Sequence, residues 1–215
     1  MLQVYLVRHG ETLWNAARRI QGQSDSALTD KGEYQARQVG ERVKHVGITH
    51  VIASDLGRTQ RTAEIIAHAC GCDVTLDPRL RELNMGVLEQ RPIDHLTEEE
   101  EGWRKALVNG TVNGRIPQGE SMAEMAARMH DALNACLELP AGSRPLLVSH
   151  GMALGVLVST ILGLPAHAER RLRLRNCSIS RVDHQQSDWL ASGWIVETAG
   201  DISHLDAPAL DELQR

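Results

Sequence analysis

Two histidines and two arginines stand where apolar, strand-like runs of the sequence end. Arg8-His9-Gly10 and Ser149-His150-Gly151 each follow such a run directly, and Ser54 follows another with Arg58 close behind it. A single histidine at a strand end is usually structural, but two His-Gly pairs in this position are unusual. Because ligand sites of parallel sheets lie beyond the carboxyl ends of the strands, these side chains can meet in one site.

This combination of residue types suits phosphoryl transfer, whose transition state spreads negative charge over three oxygens. Arg8 and Arg58 offer forked, permanently charged donors for phosphate oxygens. Their charge also favours a neutral, nucleophilic imidazole nearby. Glu82, beyond a third strand, is the best-placed carboxylate to protonate a leaving oxygen, although spacing alone also fits an ordinary surface glutamate. The spacing leaves open which histidine attacks.

Strand-like and helical runs alternate along the chain, which predicts an α/β fold. The expected architecture is a three-layer α/β/α arrangement around a mainly parallel sheet. We interpret residues 1–215 as a single domain with a lid or insertion at about residues 83–118, and we expect a polar loop over Gly10–Leu28. The predicted strands are Leu2–Val7, Val51–Ala53, Val74–Leu76, Pro145–Val148, residues 178–183 and residues 189–197.

Helices are predicted between the strands from their caps and from apolar periodicity. Thr97 with Glu100 and Ser121 with Glu124 form capping-box patterns, and Gly71 suits a left-handed helix end. The methionine-rich stripe that follows Ser121 is expected in the core. Two predicted helices run from Thr29 or Asp30 to about Val46 and from about Arg58 to Ala69. Two more helices are expected to begin after Thr97 and after Ser121, and the last runs from Met152 to Leu162.

Composition and charge narrow the possible partners. The formal net charge of -5 argues against non-specific nucleic-acid binding, which needs a basic surface. The apolar stretch Met152–Leu164 is too short to cross a bilayer, and the N-terminus has no secretory pattern. Cys70 and Cys72 are the one close cysteine pair, which favours reduced thiols in a cytoplasmic protein over a zinc site. We therefore expect a small phosphorylated metabolite as the partner, without nucleic acid, membrane or metal. The sequence does not give the oligomeric state.

An ordered set of motifs resembles the signature of the histidine phosphatase superfamily, which includes the cofactor-dependent phosphoglycerate mutases. Leu6-Val7-Arg8-His9-Gly10-Glu11-Thr12, followed by Asn15, carries the main likeness. The further matches follow in family order: Gln21-Gly22, Leu28-Thr29 with Gly32 and Gln35-Ala36, Ser54-Asp55-Leu56-Gly57-Arg58 with Thr62-Ala63, Leu80 with Glu82 and Gly86, Gly119-Glu120-Ser121, and Val148-Ser149-His150-Gly151. The resemblance implies a phosphoglycerate mutase-like fold and phosphoryl transfer through a phosphohistidine.

The resemblance also implies roles for single residues. His9 would be the phosphorylated nucleophile, and Glu82 would donate and accept the proton. Arg8, Arg58 and His150 would bind the phosphoryl oxygens and stabilise the transition state. The residues implied to line the substrate pocket are Asn15, Gln21, Gly22, Gly151 and Met152. No cofactor is expected, except 2,3-bisphosphoglycerate as a phosphoryl primer if the enzyme is a mutase.

Mutases and phosphatases of this family differ in what surrounds the phosphoryl group. Trp103-Arg104-Lys105 resembles the family's Trp-Arg-Arg element, which binds the substrate carboxylate and phosphate in mutases. Glu82-Leu83-Asn84-Met85-Gly86 lacks the Arg-His-Tyr that follows the matching glutamate in mutases, and the segment Gly86–Gly119 is shorter than theirs. With fewer cations and a smaller lid, water should reach the intermediate more easily. We therefore favour a phosphatase for small phosphorylated metabolites, with Arg104 and Lys105 setting substrate preference.

The residues also bear on several alternative functions. The main one is a cofactor-dependent phosphoglycerate mutase of glycolysis, which interconverts 2-phosphoglycerate and 3-phosphoglycerate. A module that binds phosphate without catalysis is disfavoured by the intact His9, Glu82 and His150. Serine hydrolysis at Ser149 is disfavoured because the Gly-x-Ser-x-Gly elbow is missing, and a metallophosphatase because carboxylates do not cluster around the histidines.

Overall fold

A six-stranded sheet occupies the centre of the structure, a computed structural model that describes residues 1–110, 114–185 and 193–206. The strands within these ranges are β1 (Leu2–Arg8), β2 (His50–Ala53), β3 (Val74–Leu76), β4 (Pro145–Ser149), β5 (Ile179–His184) and β6 (Trp194–Asp201). Their order across the sheet is β3-β2-β4-β1-β5-β6. The first four strands run parallel, β5 pairs antiparallel with β1, and β6 pairs antiparallel with β5 at the edge of the sheet.

The helices lie between these strands along the chain and cover both faces of the sheet. Short 3-10 turns cover Pro78–Leu80, Gly86–Leu88, Ile93–His95 and Cys136–Glu138. None of the helices in the described ranges is long and apolar enough to cross a membrane. The helices are α1 (Leu13–Ala16), α2 (Asp30–Val43), α3 (Gly57–Cys70), α4 (Glu98–Val108), α5 (Met122–Ala135) and α6 (Gly151–Ile161).

Alternate residues of the central strands face two separate apolar clusters. Leu6 and Leu147 belong to the cluster that contains α5 and α6, where the predicted methionine stripe of α5 is buried. Val7 and Val148 belong to the cluster formed with α2 and α3. This alternation follows from the period of two in a strand, and it makes both faces apolar. The predicted three-layer α/β/α fold with a mainly parallel sheet is therefore confirmed.

The strand register brings the predicted polar residues to one edge of the sheet. β1 and β4 align Arg8 with Ser149, and β2 and β4 align Ala53 with Val148. One residue further on, the amide of His9 donates to the Ser149 carbonyl at 3.0 Å. The residues that end these three strands therefore leave the sheet side by side.

Two predicted boundaries were wrong for local reasons. α2 ends at Val43 rather than Val46, because the chain turns immediately afterwards and Gly47 adopts a φ of 80°. The loop predicted over Gly10–Leu28 contains the short helix α1, whose N-terminus is capped by a hydrogen bond from the Asn15 amide to Thr12 Oγ1 at 3.1 Å.

The other helix signals are confirmed. Thr97 and Ser121 cap α4 and α5 through complete capping boxes, and Gly71 ends α3 with a φ of 69°. The last predicted strand, residues 189–197, begins at Trp194 within the described ranges, and its first residues lie outside them.

The segment predicted as a lid packs against the core at several points. Within residues 83–118, which include three residues outside the described ranges, two 3-10 turns precede α4. Leu83, Leu88, Leu107 and Ile116 from this segment are buried in the cluster that also holds α5 and α6. The segment therefore forms a wall over the carboxyl edge of the sheet.

Candidate active site

A cavity of about 260 Å³ opens beside the carboxyl end of β1 and the first residues of α3 and α6. Lys105, His150 and Gly151, also predicted for the site, are not part of its wall. The predicted site residues that line the cavity are Arg8, His9, Asn15, Gln21, Gly22, Arg58, Glu82, Arg104 and Met152. The structure thus brings most of the predicted residues together around one space.

His9 is buried, with only 3% of its surface exposed, and its ring is held in one orientation. Its Nδ1 lies 2.8 Å from the carbonyl oxygen of Gly10. Because a carbonyl can only accept, Nδ1 carries the proton and donates it, which leaves a lone pair on Nε2. Burial lowers the pKa of His9 well below its usual value, and the Arg58 and Arg8 guanidinium groups lower it further. His9 is therefore a neutral imidazole with a free nucleophilic nitrogen.

Arg58 is almost completely buried, with 1% of its surface exposed, and is held by four hydrogen bonds. Its Nη2 donates to the Gly22 carbonyl at 2.7 Å, and its Nη1 donates to the Ser24 carbonyl and to Asp25 Oδ1 at 2.8 and 2.9 Å. Its Nε donates to His150 Nδ1 at 3.2 Å. The loop before α2 therefore fixes the guanidinium beside His9, and no rearrangement is needed to present its charge.

His150 is completely buried, and both of its ring nitrogens have partners in the protein. Arg58 can only donate, so His150 Nδ1 accepts and its Nε2 carries the proton, which it donates to Ser54 Oγ at 2.9 Å. Burial lowers the pKa of His150 well below its usual value, and Arg58 and His9 lower it further. The ring centroids of His150 and His9 are 5.3 Å apart. In this arrangement His150 packs against His9 and accepts the hydrogen bond that orients Arg58.

Arg8 approaches the start of α6, where Gly151 leaves room for it. Its Nη1 donates to the Leu174 carbonyl at 2.8 Å. A Cβ atom at Gly151 would lie 3.1 Å from Arg8 Nε, closer than nearly all such contacts. Gly151 therefore contributes to the site by admitting the Arg8 side chain. We refer to Arg8, His9, Arg58 and His150 below as the strand-end cluster.

Glu82 lies in the cavity wall, and its carboxylate faces the N-terminus of α6. Oε1 accepts from the amides of Ala153 and Leu83 at 2.9 and 3.0 Å, and Oε2 accepts from the amide of Met152 at 3.1 Å. The amides at the start of a helix have no partner within the helix, so they are available to bind the Glu82 oxygens. These contacts fix a carboxyl group at the edge of the same cavity as His9 and Arg58.

The backbone around Glu82 is held by a residue that carried no sequence signal. Arg128, on α5, donates Nη1 to the carbonyls of Arg79 and Arg81 at 2.7 and 2.6 Å, and Nη2 to the Glu82 carbonyl at 3.0 Å. Both oxygens of Glu120 accept from Arg128 at 2.7 Å. A single half-buried guanidinium therefore fixes the turn that presents Glu82.

Two predicted specificity residues occupy different places. Arg104 lines the cavity, and its Nε and Nη2 both donate to the Glu101 carboxylate at 2.7 Å. Lys105 lies outside the cavity wall, is mostly exposed, and pairs with the same glutamate at 3.7 Å. This pairing within α4 matches the helical spacing of the two cations and Glu101.

Sequence reasoning missed several residues of the wall. Arg19 and Arg170 add two cations. The apolar part of the wall is made by Ile20, Met85, Ile93, Leu107 and Val108. These residues belong to irregular segments or to the end of α4, and no motif marks them. The run of arginines between Glu169 and Asn176 was the one available signal for Arg170.

Ser149 is not arranged as a nucleophile. It is completely buried, and its Oγ donates to the Leu80 carbonyl at 2.7 Å. Among the described residues, no three His, Cys, Asp or Glu side chains form a group that could hold a metal ion.

Comparison with known proteins gives consistent family matches. The family model described as histidine phosphatase superfamily (branch 1) matches residues 4–197. A protein of Erwinia tasmaniensis named probable phosphoglycerate mutase GpmB is 84% identical over 215 residues, covering 100% of both chains. The protein of the same name from Cronobacter sakazakii is 81% identical, again over 100% of both chains.

Solved structures also resemble the chain. Bacillus stearothermophilus YhfR superposes with a TM-score of 0.87 at 28% identity, covering 96% of this chain and 100% of that one. A putative alpha-ribazole-5'-P phosphatase from Escherichia coli superposes with a TM-score of 0.81 at 25% identity, covering 93% and 96% of the two chains.

Proposed function

Because the chain belongs to the histidine phosphatase superfamily (branch 1) and is an enzyme of the mutase or phosphatase type, we propose that it hydrolyses small phosphate monoesters through a phosphohistidine at His9. The observation that carries the proposal is the orientation of His9. Its Nδ1 proton is bound to the Gly10 carbonyl, so its Nε2 lone pair is available beside Arg58.

In the first step, His9 Nε2 attacks the phosphorus atom of the monoester. The nitrogen–phosphorus bond forms as the bond from phosphorus to the ester oxygen breaks, and Glu82, which enters this step in its protonated form, gives its proton to that oxygen. Arg58 and Arg8 stabilise the negative charge on the three equatorial oxygens. The products of this step are the free alcohol and the phosphorylated His9.

In the second step, water attacks the phosphohistidine. Glu82 takes a proton from the water as the new oxygen–phosphorus bond forms and the nitrogen–phosphorus bond breaks. His9 returns to its neutral state, and inorganic phosphate leaves. The two steps together convert a monoester and water into an alcohol and phosphate, with Glu82 restored.

Phosphoglycerate mutase activity is the second candidate function. The names of the relatives from Erwinia tasmaniensis and Cronobacter sakazakii favour it, and so does the presence of Arg104 in the cavity wall. The likeness to the structure from Escherichia coli, which is named as a phosphatase, favours hydrolysis. The pairing of Arg104 with Glu101 weakens the argument for a mutase that rests on Arg104, because this charge is already partly neutralised.

The two candidates are separated by following the fate of the phosphoryl group. The enzyme is incubated with 3-phosphoglycerate, with and without 2,3-bisphosphoglycerate, while inorganic phosphate and 2-phosphoglycerate are both measured. Release of phosphate from 3-phosphoglycerate that does not require the bisphosphate is expected for the phosphatase. Formation of 2-phosphoglycerate that requires the bisphosphate, with little release of phosphate, would establish the mutase instead.

The remaining expectations follow from this proposal. A small phosphorylated metabolite is the partner, and the phosphatase needs no cofactor. Activity should survive a chelator, because Arg8 and Arg58 can supply the positive charge that magnesium supplies in kinases. Loss of activity in the chelator that is restored by a divalent metal would contradict this. All four cysteines are thiols, which supports a reducing, cytoplasmic location.

A further inference from the structure

Three arginines of the cavity wall lie outside the strand-end cluster, and we call Arg19, Arg104 and Arg170 the outer wall. They differ in how many hydrogen bonds and ion pairs their guanidinium groups already make with the protein. Arg104 is bound through two hydrogen bonds to Glu101. An anion that approaches Arg104 therefore also meets the negative charge of that carboxylate.

Arg19 is partly engaged as well. Its Nη1 donates to the Gln90 carbonyl at 2.9 Å, and its guanidinium carbon lies 5.8 Å from the centre of the Trp14 ring. The cation–π contact and the hydrogen bond together hold this side chain against α1 and Gln90.

The Arg170 side chain differs from those of Arg104 and Arg19. Within the described part of the chain, its guanidinium makes no hydrogen bond and no ion pair, and its side chain is exposed towards the cavity. The neighbouring Glu169 pairs with Arg171 at 2.6 Å instead. Glu82 and Arg8 both act electrostatically on Arg170, which indicates that this cation lies near the strand-end cluster.

The backbone of Arg170 is nevertheless fixed. Its amide donates to the Val108 carbonyl at 3.0 Å, which joins it to the end of α4. Gly110 packs so closely on the same segment that a Cβ atom there would lie 2.5 Å from the His167 carbonyl oxygen. The segment is thus seated on α4, and the free guanidinium is presented from a defined point of the wall.

Apolar side chains contribute to the same wall as Arg170. Leu107, Val108, Met152 and Ile93 line the cavity together with His9 and Arg170. A carbon skeleton can lie against this surface while its two ends meet different charges. One end is the phosphoryl group at the strand-end cluster, and the other end faces Arg170.

We propose that Arg170 is a specificity-determining residue that binds a second anionic group of the substrate. The preferred substrates are then phosphate monoesters that carry a carboxylate or a second phosphate at the end remote from the ester. This inference rests on the proposed function, because it requires the phosphoryl group to lie at His9. It assigns to Arg170 the main share of a role that the sequence predicted for Arg104 and Lys105.

The test compares two esters that differ only at the remote end. 3-Phosphoglycerate carries a carboxylate where glycerol 3-phosphate carries a neutral alcohol. Arg170→Met should lower kcat/KM on 3-phosphoglycerate by about ten- to hundredfold, the loss expected for one hydrogen bond to a charged group. On glycerol 3-phosphate the loss should stay within about threefold, the size of a weak, screened electrostatic effect. Arg170→Lys should recover part of the lost discrimination because it keeps the charge.

Arg173→Met is the matched control. Arg173 lies on the same segment, is exposed, and is not part of the cavity wall, so its loss removes the same charge without touching the site. We expect the control to retain wild-type kcat/KM on both esters. A bisphosphate and its monophosphate counterpart, run in parallel, show whether Arg170 prefers a carboxylate or a second phosphate.

The outcomes separate this inference from the proposed function. Suppose that Arg170→Met melts at the wild-type temperature and that its kcat/KM falls equally on both esters or on neither. Arg170 then does not bind a second anion. Hydrolysis by the wild type would then still support the proposed function. If the wild type hydrolyses neither ester nor an aryl phosphate, the proposed function itself fails.

Discussion

The strand-end cluster and the outer wall hold their charged side chains in opposite ways. Arg58, in the cluster, is buried and donates to two carbonyls, a carboxylate and a ring nitrogen. In the outer wall, Arg104 is paired with the carboxylate of Glu101, and the Arg170 guanidinium has no hydrogen-bond or ion-pair partner among the described residues. A fixed, desolvated charge stabilises a transition state without reorganisation, whereas an uncommitted charge can adapt to different substrates. The comparison indicates that chemistry and substrate choice are separated within one cavity.

The largest effect is expected from removing the fixed charge of the cluster. Arg58→Ala should lower kcat/KM on an aryl phosphate by about a hundred- to thousandfold, because a preorganised donor to the transition state is lost. Arg61→Ala is the control, since Arg61 lies on the same helix but is half-exposed and pairs with Glu33 on the surface. Near-normal kcat/KM in the Arg58 variant would remove the difference between cluster and outer wall.

A smaller effect is expected from loosening the turn that carries Glu82. Arg128→Met removes the guanidinium that binds three carbonyls of this turn, so the proton donor should be less well positioned. The expected loss in kcat is about tenfold on an alkyl phosphate and distinctly less on 4-nitrophenyl phosphate, whose leaving group needs little protonation. KM should change little.

The dependence on the leaving group distinguishes positioning from a general loss of structure. Arg115→Met, which breaks a surface pair with Glu124 on the same helix, should leave both substrates unaffected. Equal losses on the two substrates in Arg128→Met would contradict a role that acts through Glu82.

Removing the cations of α4 should have a modest effect. Replacing both Arg104 and Lys105 with Ala should weaken catalysis on 3-phosphoglycerate by about fivefold or less, since exposed and already paired charges contribute little. A small aryl phosphate, which has no remote anion, should be nearly unaffected. A loss larger than that of Arg170→Met would show that α4, and not Arg170, supplies the second anion site.

The smallest effect concerns the acid side of the pH profile. Burial, Arg58 and Arg8 lower the pKa of His9, so His9 stays neutral, and activity persists, below the usual histidine range. Activity is lost as the pH falls through this lowered pKa. Arg58→Ala should move the acid limb of the kcat/KM profile to higher pH. The limb should not reach the usual pKa of a histidine, because His9 remains buried. Arg170→Met should leave the acid limb in place. All variants are measured on the same substrate, so ionisation of the substrate affects every profile equally.

Much of this arrangement could be predicted from the sequence, because strand order determines which residues leave a parallel sheet together. His9, Arg58 and His150 follow three strands whose apolar runs are clear, and the register aligns their ends. The capping boxes at Thr97 and Ser121 also depend on four neighbouring residues only, so their signals are local. Predictions of this kind need no knowledge of distant contacts.

The rest depends on contacts between residues far apart in sequence. Arg128 donates to the Glu82 carbonyl from 46 residues away, and nothing in its neighbourhood marks it. Arg104 carried a recognisable motif, but the structure shows its charge bound to Glu101. Arg170 carried no motif and reaches the cavity through an irregular segment. The sequence also could not show that His150 would have both ring nitrogens bound, since Ser54 and Arg58 come from another strand and helix.

The central claim is that His9 Nε2 carries the phosphoryl group. The direct measurement is a rapid acid-free quench of the enzyme with ³²P-labelled substrate, followed by peptide mapping and by ³¹P NMR of the trapped phosphoenzyme. A label on His9, bonded to Nε2 because Nδ1 is bound to the Gly10 carbonyl, is the predicted result, and His9→Ala should trap none. A label on any other residue, or on Nδ1 of His9, would contradict the claim.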